Sequence, residues 1–418
     1  MTTQNKNVPA LRFPEFDEKW EVKKLSELAD FISGFAFNSE LFGSEGKKLI
    51  IPKNFTKFGF ANFTNGNTKY TTEIVDNKFL CGEGDLLILL TDLTPSCELL
   101  GKPLLLTKED GEVLLNQRIV KLVTNKKQIT KVFLSNFFLT NDYHKRIKET
   151  ASGSTVRHSS NKILASTNIY FPTLPEQQKI ATFLTVVDEK IQQLTKKKDL
   201  LEQYKKGVMQ KIFNQEIRFK DDNGNDFADW EEKKLGDFTF WASGGTPSKD
   251  IDSYWNGDIP WISGSSMRGI KYSNSKLKIT VEGLKNGSKL AQKGSLLILV
   301  RGSMLFNTIP VGITTRDVAF NQDVKSIKCN EETSPIYLLY WFISSENKIL
   351  NMVSGTGIGA GKLDLIELKR LDIFLPSLPE QQKIADFLSA IDDKLNSVNQ
   401  QLEKTQAYKK GLLQQMFV

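Results

Sequence analysis

The sequence predicts an α+β protein with two similar domains of mixed structure, separated by two long helices packed as an antiparallel coiled coil. Three observations predict this fold. The chain repeats itself as a whole unit, the tail of each repeat carries apolar residues at heptad spacing, and short apolar runs alternate with turn residues before each tail. With 418 residues the chain is too long for one ordinary domain.

The repeat is clearest in the two tails. The segments that begin at Pro172 and Pro376 align without a gap, and both contain Leu-Pro-Glu-Gln-Gln-Lys-Ile-Ala. Upstream anchors recur in the same order, namely residues 11–13 with 217–219, 20–25 with 230–235, 84–89 with 294–299, 116–117 with 321–322, and 152–154 with 354–356. The chain therefore holds two copies of one unit, each a variable domain followed by a long helix.

Each tail has the features of a helix that opens with Pro and Glu in its first turn. Lysines at 198 and 205 interrupt the first apolar stripe, and Thr405 and Lys409 interrupt the second. The heptad seam comprises Ile180, Leu184, Val187, Ile191, Leu194, Leu201 and Val208 in the first tail, and Ile384, Leu388, Ile391, Leu395, Val398, Leu402 and Leu412 in the second.

Each stripe could pack on its own domain, or the two helices could cover each other. A helix of this length extends about 55 Å at 1.5 Å per residue, which is longer than a small domain covers. Mutual, antiparallel pairing is the better explanation of the seam. It also predicts that Leu11, which opens the first domain, lies near Phe417 at the end of the second helix.

These patterns give four segments: a first domain over residues 1–171, a first helix over 172–215, a second domain over 216–375 and a second helix over 376–418. Within the domains, strands are predicted at residues 86–90, 113–115, 119–123, 169–171 and 296–300. Helices are predicted near residues 132–147 and 335–350.

Composition excludes some classes of protein and favours others. The chain has no apolar run long enough for a membrane span and no apolar signal core at its start. Its three cysteines form no close pair, which indicates reduced thiols and a cytoplasmic protein. The net charge of +7 favours a polyanionic partner such as nucleic acid.

No motif for catalysis or metal binding emerges. The Gly-rich segment 355–362 departs from the phosphate-loop spacing, so a flexible loop is the better interpretation. The two histidines, His144 and His158, form no zinc spacing with the cysteines; we expect a helix-surface position for His144 and a loop position for His158. The sequence thus predicts no catalytic residue and no metal ligand.

Candidate DNA-binding residues are polar side chains of the variable domains. Arg and Lys suit guanine, whereas Asn and Gln suit adenine. The pairs Asn116-Gln117 and Asn321-Gln322 recur, so they are assigned a shared structural role instead. The candidates are Lys53, Asn54, Lys57, Lys69, Arg118, Arg157 and Lys162 in the first domain, and Arg268, Lys271, Lys276, Arg301, Arg316 and Lys362 in the second.

The pattern as a whole resembles the specificity subunits of type I restriction-modification systems. The resemblance rests on the twin Pro-x-Leu-Pro-Glu-Gln-Gln-Lys-Ile-Ala segments, each of which follows a Ser-Gly-Ser/Thr loop and opens a heptad helix. The Leu-Leu-Ile-Leu strands, the Asn-Gln pairs and residues 243–247 and 259–262 add to it. It covers essentially the whole chain, although the first domain lacks counterparts of these last two elements.

The resemblance implies a function. Each variable domain would be a target recognition domain that reads one half of a bipartite site in double-stranded DNA, and the helices would set the gap between the halves. Methyltransferase subunits using S-adenosylmethionine would dock on the helices. Restriction subunits would supply ATP- and magnesium-dependent cleavage. The chain itself would be a non-catalytic subunit without a cofactor.

Three other functions compete with this one. The chain could serve another bipartite restriction enzyme, in which nuclease and methyltransferase share one partner polypeptide. It could also be a coiled-coil scaffold with two protein-binding domains and no role on DNA. Partner identity would separate the first alternative from the main hypothesis, and DNA binding would separate the second. The third is a stand-alone nuclease, which metal-dependent cleavage by the purified chain would establish.

Overall fold

The computed structural model describes residues 8–64, 66–92, 94, 96–153, 156–355 and 359–418. The chain forms two compact units: unit 1 comprises Met1–Thr195 with Gln400–Val418, and unit 2 comprises Lys196–Asn399. Among the described residues, no helix combines the length and the apolar composition that a membrane crossing requires.

Unit 1 is built from short strands, four short helices and parts of two long helices. Its strands are β1 (Glu21–Lys24), β2 (Ala29–Ser33), β3 (Phe42–Gly43), β4 (Lys47–Ile50), β5 (Lys69–Thr71), β6 (Leu80–Cys81), β7 (Leu86–Leu89), β8 (Thr91–Asp92), β9 (Pro103–Leu105), β10 (Val113–Leu115), β11 (Ile119–Thr124), β12 (Arg157–His158) and β13 (Asn168–Phe171). The helices that begin in it are α1 (Leu25–Leu28), α2 (Lys131–Phe137), α3 (Asn141–Glu149), α4 (Asn161–Ala165) and α5 (Leu174–Phe213).

Unit 2 repeats this plan. Its strands are β14 (Glu231–Lys234), β15 (Thr239–Ser243), β16 (Trp255–Ile262), β17 (Lys271–Tyr272), β18 (Lys278–Ile279), β19 (Lys289–Ala291), β20 (Leu296–Leu299), β21 (Arg301–Gly302), β22 (Val311–Thr314), β23 (Val318–Phe320), β24 (Val324–Cys329), β25 (Ser354–Gly355), β26 (Gly361–Lys362) and β27 (Asp372–Leu375). Its helices are α6 (Val281–Gly287), α7 (Pro335–Ser344), α8 (Glu346–Leu350), α9 (Leu365–Lys369) and α10 (Leu378–Met416).

The two units share one sheet topology. The central antiparallel sheet has the order β2-β11-β7-β9 in unit 1, and β15-β24-β20-β22 is its equivalent in unit 2, where β17 extends the sheet. A second sheet joins a parallel pair, β4 with β10 or β16 with β23, to an antiparallel neighbour. The α+β class predicted from the sequence is confirmed.

The Leu-Leu-Ile-Leu runs form the middle of each core. All four residues of β7 and of β20 are buried, because each strand has neighbours on both edges and packed side chains on both faces. This explains why these strands read as continuous apolar runs without alternation.

The predicted helices near 132–147 and 335–350 need correction, since each is two helices. Thr140 adopts an extended conformation and forms the N-cap position of α3, which separates it from α2. Ser345 interrupts the second segment between α7 and α8. Apolar periodicity continues through both breaks, so the sequence pattern did not reveal them.

The identical Pro-Glu-Gln-Gln segment anchors each long helix to its own domain. Glu176 accepts two hydrogen bonds of 2.7 Å from Arg12 and one of 3.3 Å from Trp20 Nε1. The side chain of Gln177 accepts from Thr130 N and donates to the carbonyl oxygen of Pro172. In unit 2, Glu380 holds Arg218 and Trp230 and Gln381 holds Ser334 and Pro376 in the same way.

The helices run antiparallel within each unit. In unit 1 the N-terminal part of α5 lies beside the C-terminal end of α10, and Asp188 pairs with Lys409 at 2.5 Å. In unit 2 the end of α5 lies beside the start of α10, and Lys205 pairs with Asp392 at 2.5 Å. The lysines that interrupt the predicted seam at 205 and 409 therefore belong to interhelical ion pairs.

The seam residues divide between core and half-buried positions. Each helix begins inside the core of its own domain, where the end of the other helix joins it, so both packing alternatives hold in part. Buried seam residues are Ile180, Leu184, Val187, Ile191, Leu194, Ile384, Leu388, Ile391, Val398 and Leu412, whereas Leu201, Val208, Leu395 and Leu402 are half-buried.

The predicted proximity of the chain ends is confirmed. Leu11 N donates a hydrogen bond of 2.8 Å to Gln415 O, and the ring of Phe417 packs on Trp20. Unit 2 contains the equivalent contact within a continuous chain, where Ile217 N donates to Lys211 O at the end of α5.

Candidate nucleic-acid interface

Four repeated segments converge beyond the end of β7 in unit 1. Leu90 N donates to Arg118 O and Ser159 N donates to Leu90 O, each at 2.9 Å. The Asn161 side chain donates to Ser33 Oγ at 2.8 Å. We call this surface the unit 1 edge, which comprises residues 33–35, 90–92, 116–118 and 157–162.

The Ser-Gly motif has a steric reason at this edge. A Cβ atom on Gly34 would lie 2.1 Å from Asn116 O, far inside van der Waals contact. Gly34 N donates to Ile119 O, and Asn116 Oδ1 accepts from Arg118 N at 3.1 Å. The repeated Asn-Gln pair thus shapes the turn that Gly34 approaches, which agrees with the structural role predicted for it.

Unit 2 contains the same scaffold. Val300 N donates to Asp323 O, and Leu363 N donates to Val300 O. A Cβ on Gly244 would lie 2.1 Å from Phe320 O. The unit 2 edge comprises residues 243–246, 300–302, 321–323 and 361–363.

The two edges carry different side chains on this common backbone. Arg301 and Lys362 are direct neighbours on strands β21 and β26 and are both exposed. The strand pairing places Thr91 and His158 at these positions in unit 1, where Thr91 Oγ1 lies 3.1 Å from His158 Nδ1. The scaffold is therefore conserved between the repeats while its surface chemistry differs.

The structure brings some predicted candidates together and leaves others apart. Arg118, Arg157 and Lys162 belong to the unit 1 edge, and Arg301 and Lys362 belong to the unit 2 edge. Arg157 is half-buried and donates to Gly153 O at 2.8 Å. The remaining exposed candidates lie on other parts of their units: Lys53, Lys57, Lys69, Arg268, Lys271, Lys276 and Arg316.

The structure corrects the prediction that Asn54 is a DNA-binding residue. Its side chain is fully buried, accepts a hydrogen bond from Ile51 N at 2.8 Å and donates to Asn62 O at 3.2 Å. The amide group closes a local loop and has no access to the surface. An Asn that follows Pro-Lys in a turn has the same composition whether it caps the turn or reads a base, so the sequence could not separate the two roles.

Sequence reasoning missed Lys325 at the unit 2 edge. Its ammonium donates to Ser243 Oγ at 2.6 Å and to Gln322 O at 2.7 Å, and burial lowers its pKa. The strand registers place Val120 of β11 at the position of Lys325 on β24, whereas Lys121, the next residue of β11, pairs with Asp85. No signal in the sequence marked one of these lysines as belonging to the edge.

The structure also corrects the predicted position of His144. His144 is buried, not on the helix surface as predicted, and its Nε2 donates to Cys97 O at 2.9 Å. Ser154 and Thr356 of the recurring loops, and residues 356–358 of the Gly-rich segment, lie outside the described residues. Within the described part of the chain, no three His, Cys, Asp or Glu side chains are grouped as a metal site would need.

Comparison with known proteins identifies the family. The family model for the type I restriction modification DNA specificity domain matches twice, at residues 17–203 and 228–405. The chain belongs to this family. Its two edges therefore lie in two type I specificity domains, and the chain is a type I restriction-modification specificity subunit with two target recognition domains.

Three curated relatives of these specificity domains illustrate the range of similarity. The EcoR124I/EcoR124II specificity subunit of Escherichia coli is 33% identical over 176 residues, which cover 42% of this chain and 44% of the relative. The MjaIX specificity subunit of Methanocaldococcus jannaschii is 34% identical over 46% of this chain and 44% of the relative. The EcoBI specificity subunit of Escherichia coli is 21% identical over 95% of this chain and 84% of the relative.

The chain thus spans less than half the length of the first two of these specificity subunits. A solved structure extends the likeness in fold to the whole chain. The type I restriction-modification S subunit from M. genitalium superposes with a TM-score of 0.63 at 16% identity, covering 98% of this chain and 99% of that protein.

Proposed function

We propose that this chain directs the methyltransferase and restriction subunits of a type I restriction-modification complex to a bipartite site in double-stranded DNA. Each edge reads one half-site, and helices α5 and α10 set the gap between them. Two linked readers bind with high effective concentration, so together they select a longer sequence than either domain alone.

The observation that carries the proposal is the contrast between scaffold and surface at the two edges. Gly34 and Gly244 hold the same backbone turn, whereas Arg301 and Lys362 stand where unit 1 has Thr91 and His158. Guanidinium and ammonium groups match the acceptors of guanine, whereas in unit 1 Thr91 is buried beneath His158, which leaves an imidazole as the exposed group of the pair. Two domains that read different half-sites need different exposed side chains on the same backbone arrangement.

Chemistry is assigned to the partners in this proposal. The chain is a non-catalytic, cytoplasmic subunit that supplies the address on DNA. S-adenosylmethionine, ATP and magnesium act on the methyltransferase and restriction subunits. The solved structure of a chain similar in fold, with a TM-score of 0.52 at 14% identity, comes from a study of complex assembly of the type I restriction-modification system, which agrees with a multi-subunit setting.

Methylation mapping tests the two-reader proposal. We expect the chain, co-expressed with a methyltransferase subunit that co-purifies with it, to direct methylation to one two-part motif with a fixed gap. Single-molecule sequencing of the host DNA measures this directly. A continuous motif, or no methylation by a complex that does co-purify, would contradict the proposal.

A domain exchange provides the matched control. Replacing residues 11–171 with those of another family member should change one half of the methylated motif. The other half of the motif and the assembly with the methyltransferase should be unchanged. The reciprocal exchange of residues 217–375 should change only the other half. Simultaneous changes in both halves would show that the domains do not read independently.

Partner docking is supported by two repeated tyrosines. Tyr204 and Tyr408 occupy equivalent places on α5 and α10 and are 54% and 56% exposed. Neither is part of a core, although the next residue in each repeat, Lys205 or Lys409, is held in an ion pair. Exposed tyrosines are common hot spots of protein interfaces, so two equivalent ones suit two copies of one partner.

Substitution of these tyrosines gives a quantitative test. Tyr204→Ala and Tyr408→Ala should each weaken retention of the methyltransferase by about tenfold or more, because a hot-spot side chain contributes about 2 kcal/mol. Co-purification with quantified subunit ratios measures the loss. Asn396→Ala, an exposed change on α10, is the control, and equal retention by all three variants would place the docking surface elsewhere.

A further inference from the structure

Unit 1 contains a cavity that the proposed reading of DNA does not use. It has a volume of about 520 Å³ and lies between α3, the C-terminal part of α10 and the loop before β9. Pockets of this size accommodate small organic ligands. Its lining combines five lysines with an aromatic ring, which sets it apart from an ordinary packing defect.

Lys102 is the central feature of this cavity. The residue is only 8% exposed, and its ammonium, which opens onto the cavity, forms no hydrogen bond or ion pair with the residues that the structure describes. Burial, together with the positive charges of Lys148, Lys409 and Lys410, lowers its pKa to about 8. A buried, unpaired ammonium is costly unless an anion compensates it.

The other charged side chains around the cavity do not compensate the positive charge of Lys102. Lys57, Lys148 and Lys410 line it with Lys102, against only two acids, Glu98 and Glu403. Lys409 also lines the cavity, but Asp188 neutralises it. Burial, with the nearby lysines, lowers the pKa of His144 to about 4, so this imidazole is neutral. The cavity therefore has a net positive charge.

The backbone that carries Lys102 is held firmly. Tyr143 donates to Gly101 O at 3.2 Å, and His144 Nε2 donates to Cys97 O at 2.9 Å. Lys102 O accepts from Leu89 N at 3.1 Å, which ties the residue to the central strand β7. The backbone at Lys102 is thus fixed, which limits the positions that its ammonium can take at the cavity.

The repeat shows that the fold does not require this lysine. In unit 2, Leu299 N donates to Pro310 O, so Pro310 occupies the place of Lys102. A cavity of about 450 Å³ on the equivalent part of α5 is lined by Lys205 and Lys206 together with Glu202 and Glu346, and Lys205 is paired with Asp392, so this lining has no excess of positive charge. Lys102 is therefore an addition to unit 1, and a structural requirement of the fold does not explain it.

The apolar side chains of the lining indicate which chemical group is attached to the anion. Phe58 provides a partly buried ring, and Leu139, Ala407 and Leu413 add apolar surface. Rings and apolar side chains hold a planar base by stacking, while lysines hold phosphate. We propose that this cavity binds a phosphate group carried on a planar ring, as in a nucleotide, with the phosphate at Lys102 and the ring against Phe58.

Calorimetric titration of the purified full-length chain tests this site. The probes are AMP, adenosine and a short DNA duplex. Lys102→Met should weaken binding of AMP about tenfold or more, since it removes a hydrogen bond between two charged groups. Lys145→Met is the matched control, because Lys145 lies exposed on the same helix α3 and does not line the cavity.

The probes also distinguish the source of the phosphate. Binding of AMP that exceeds that of adenosine and depends on Lys102 supports a free nucleotide as ligand. Binding of the duplex alone that depends on Lys102 assigns the same phosphate chemistry to nucleic acid. Equal binding of adenosine and AMP, unchanged binding by Lys102→Met, or no binding of any probe would overturn the site while leaving the methylation results unaffected.

Proton uptake gives a signature that a merely structural lysine lacks. An anion raises the pKa of Lys102 above its value of about 8, so binding near pH 8.5 should take up protons from the buffer. Titrations in two buffers of different ionisation enthalpy measure this uptake, which Lys102→Met should abolish. The same variant should melt at a higher temperature than the parent below pH 8, because it removes a buried charge, and this excludes misfolding as the reason for lost binding.

Discussion

Glu176→Ala is expected to destabilise unit 1 by about 3 kcal/mol or more, because it removes the acceptor from a buried group of partners. Glu176 is 1% exposed and accepts hydrogen bonds from Nε and Nη2 of Arg12 and from the Trp20 indole. Arg12 itself is 11% exposed in its side chain, and its hydrogen bonds with Glu176 raise its pKa. Without the carboxylate, a guanidinium and an indole N–H remain buried and unpaired.

Hydrogen exchange of the full chain, followed by peptide mass, measures the effect by region. We expect faster exchange of β1 and β13 in Glu176→Ala, whereas the equivalent strands β14 and β27 retain their protection. Glu380→Ala should give the opposite pattern, because Glu380 holds Arg218 and Trp230 in unit 2. Gln178→Ala, an exposed change on the same turn of α5, should alter stability by less than about 0.5 kcal/mol.

A double variant separates charge burial from packing. Arg12→Met combined with Glu176→Met removes both charges and should recover much of the stability that Glu176→Ala loses, since a buried ion pair is often no more stable than an apolar replacement. If the double variant loses as much stability as the two single variants together, the Arg12–Glu176 pair stabilises unit 1 through its direct interaction and not by avoiding an unpaired charge.

The large-scale organisation could be predicted because the sequence contains two copies of the same unit. The ungapped repeat of Leu-Pro-Glu-Gln-Gln-Lys-Ile-Ala fixed the two-domain plan, and the heptad spacing fixed the long helices. The proximity of Leu11 and Phe417 followed from treating the end of each helix as the start of a domain. These inferences depend on periodicity and repetition, which survive without knowledge of tertiary contacts.

Individual side-chain roles could not be predicted, because they depend on burial. Asn54 and Lys102 are polar residues in turn-rich segments, where a sequence pattern predicts exposure; both are buried, one satisfied locally and one unpaired. His144 lies at a position of α3 that faces the loop at Cys97. Which side chains of α3 face the core depends on how this short helix packs on the domain. Apolar spacing over nine residues does not determine that packing.

The polar interruptions of the seam were visible in the sequence, but their partners were not. Lys409 pairs with Asp188 in unit 1, and Lys205 pairs with Asp392 in unit 2. Each member of the second pair lies one repeat away from a member of the first, so one interhelical contact occurs twice. A polar pair inside an apolar seam disfavours shifted registers, because any shift buries one charge against apolar side chains.

The unit 1 pair is the more buried of the two, and its disruption has the larger expected effect. The Lys409 side chain is 4% exposed and that of Asp188 is 17% exposed, compared with 15% and 13% for Lys205 and Asp392. We expect Lys409→Met to destabilise unit 1 by about 3 kcal/mol at neutral pH, because Asp188 remains buried without its counter-charge. Lys404→Met, at an exposed position of α10, should have little effect.

The loss caused by Lys409→Met should also depend on pH. Burial already raises the pKa of Asp188 above the ordinary value of an aspartate, and Lys409 opposes that rise. Removal of the lysine raises the pKa further, so the variant keeps its stability while Asp188 is protonated and loses it as pH rises through the new pKa. Urea unfolding of the variant and the parent at several pH values between about 4 and 8 measures this difference. A penalty that is independent of pH would show that Asp188 reaches solvent when Lys409 is absent, and that apolar packing, not charge pairing, holds the helices in register.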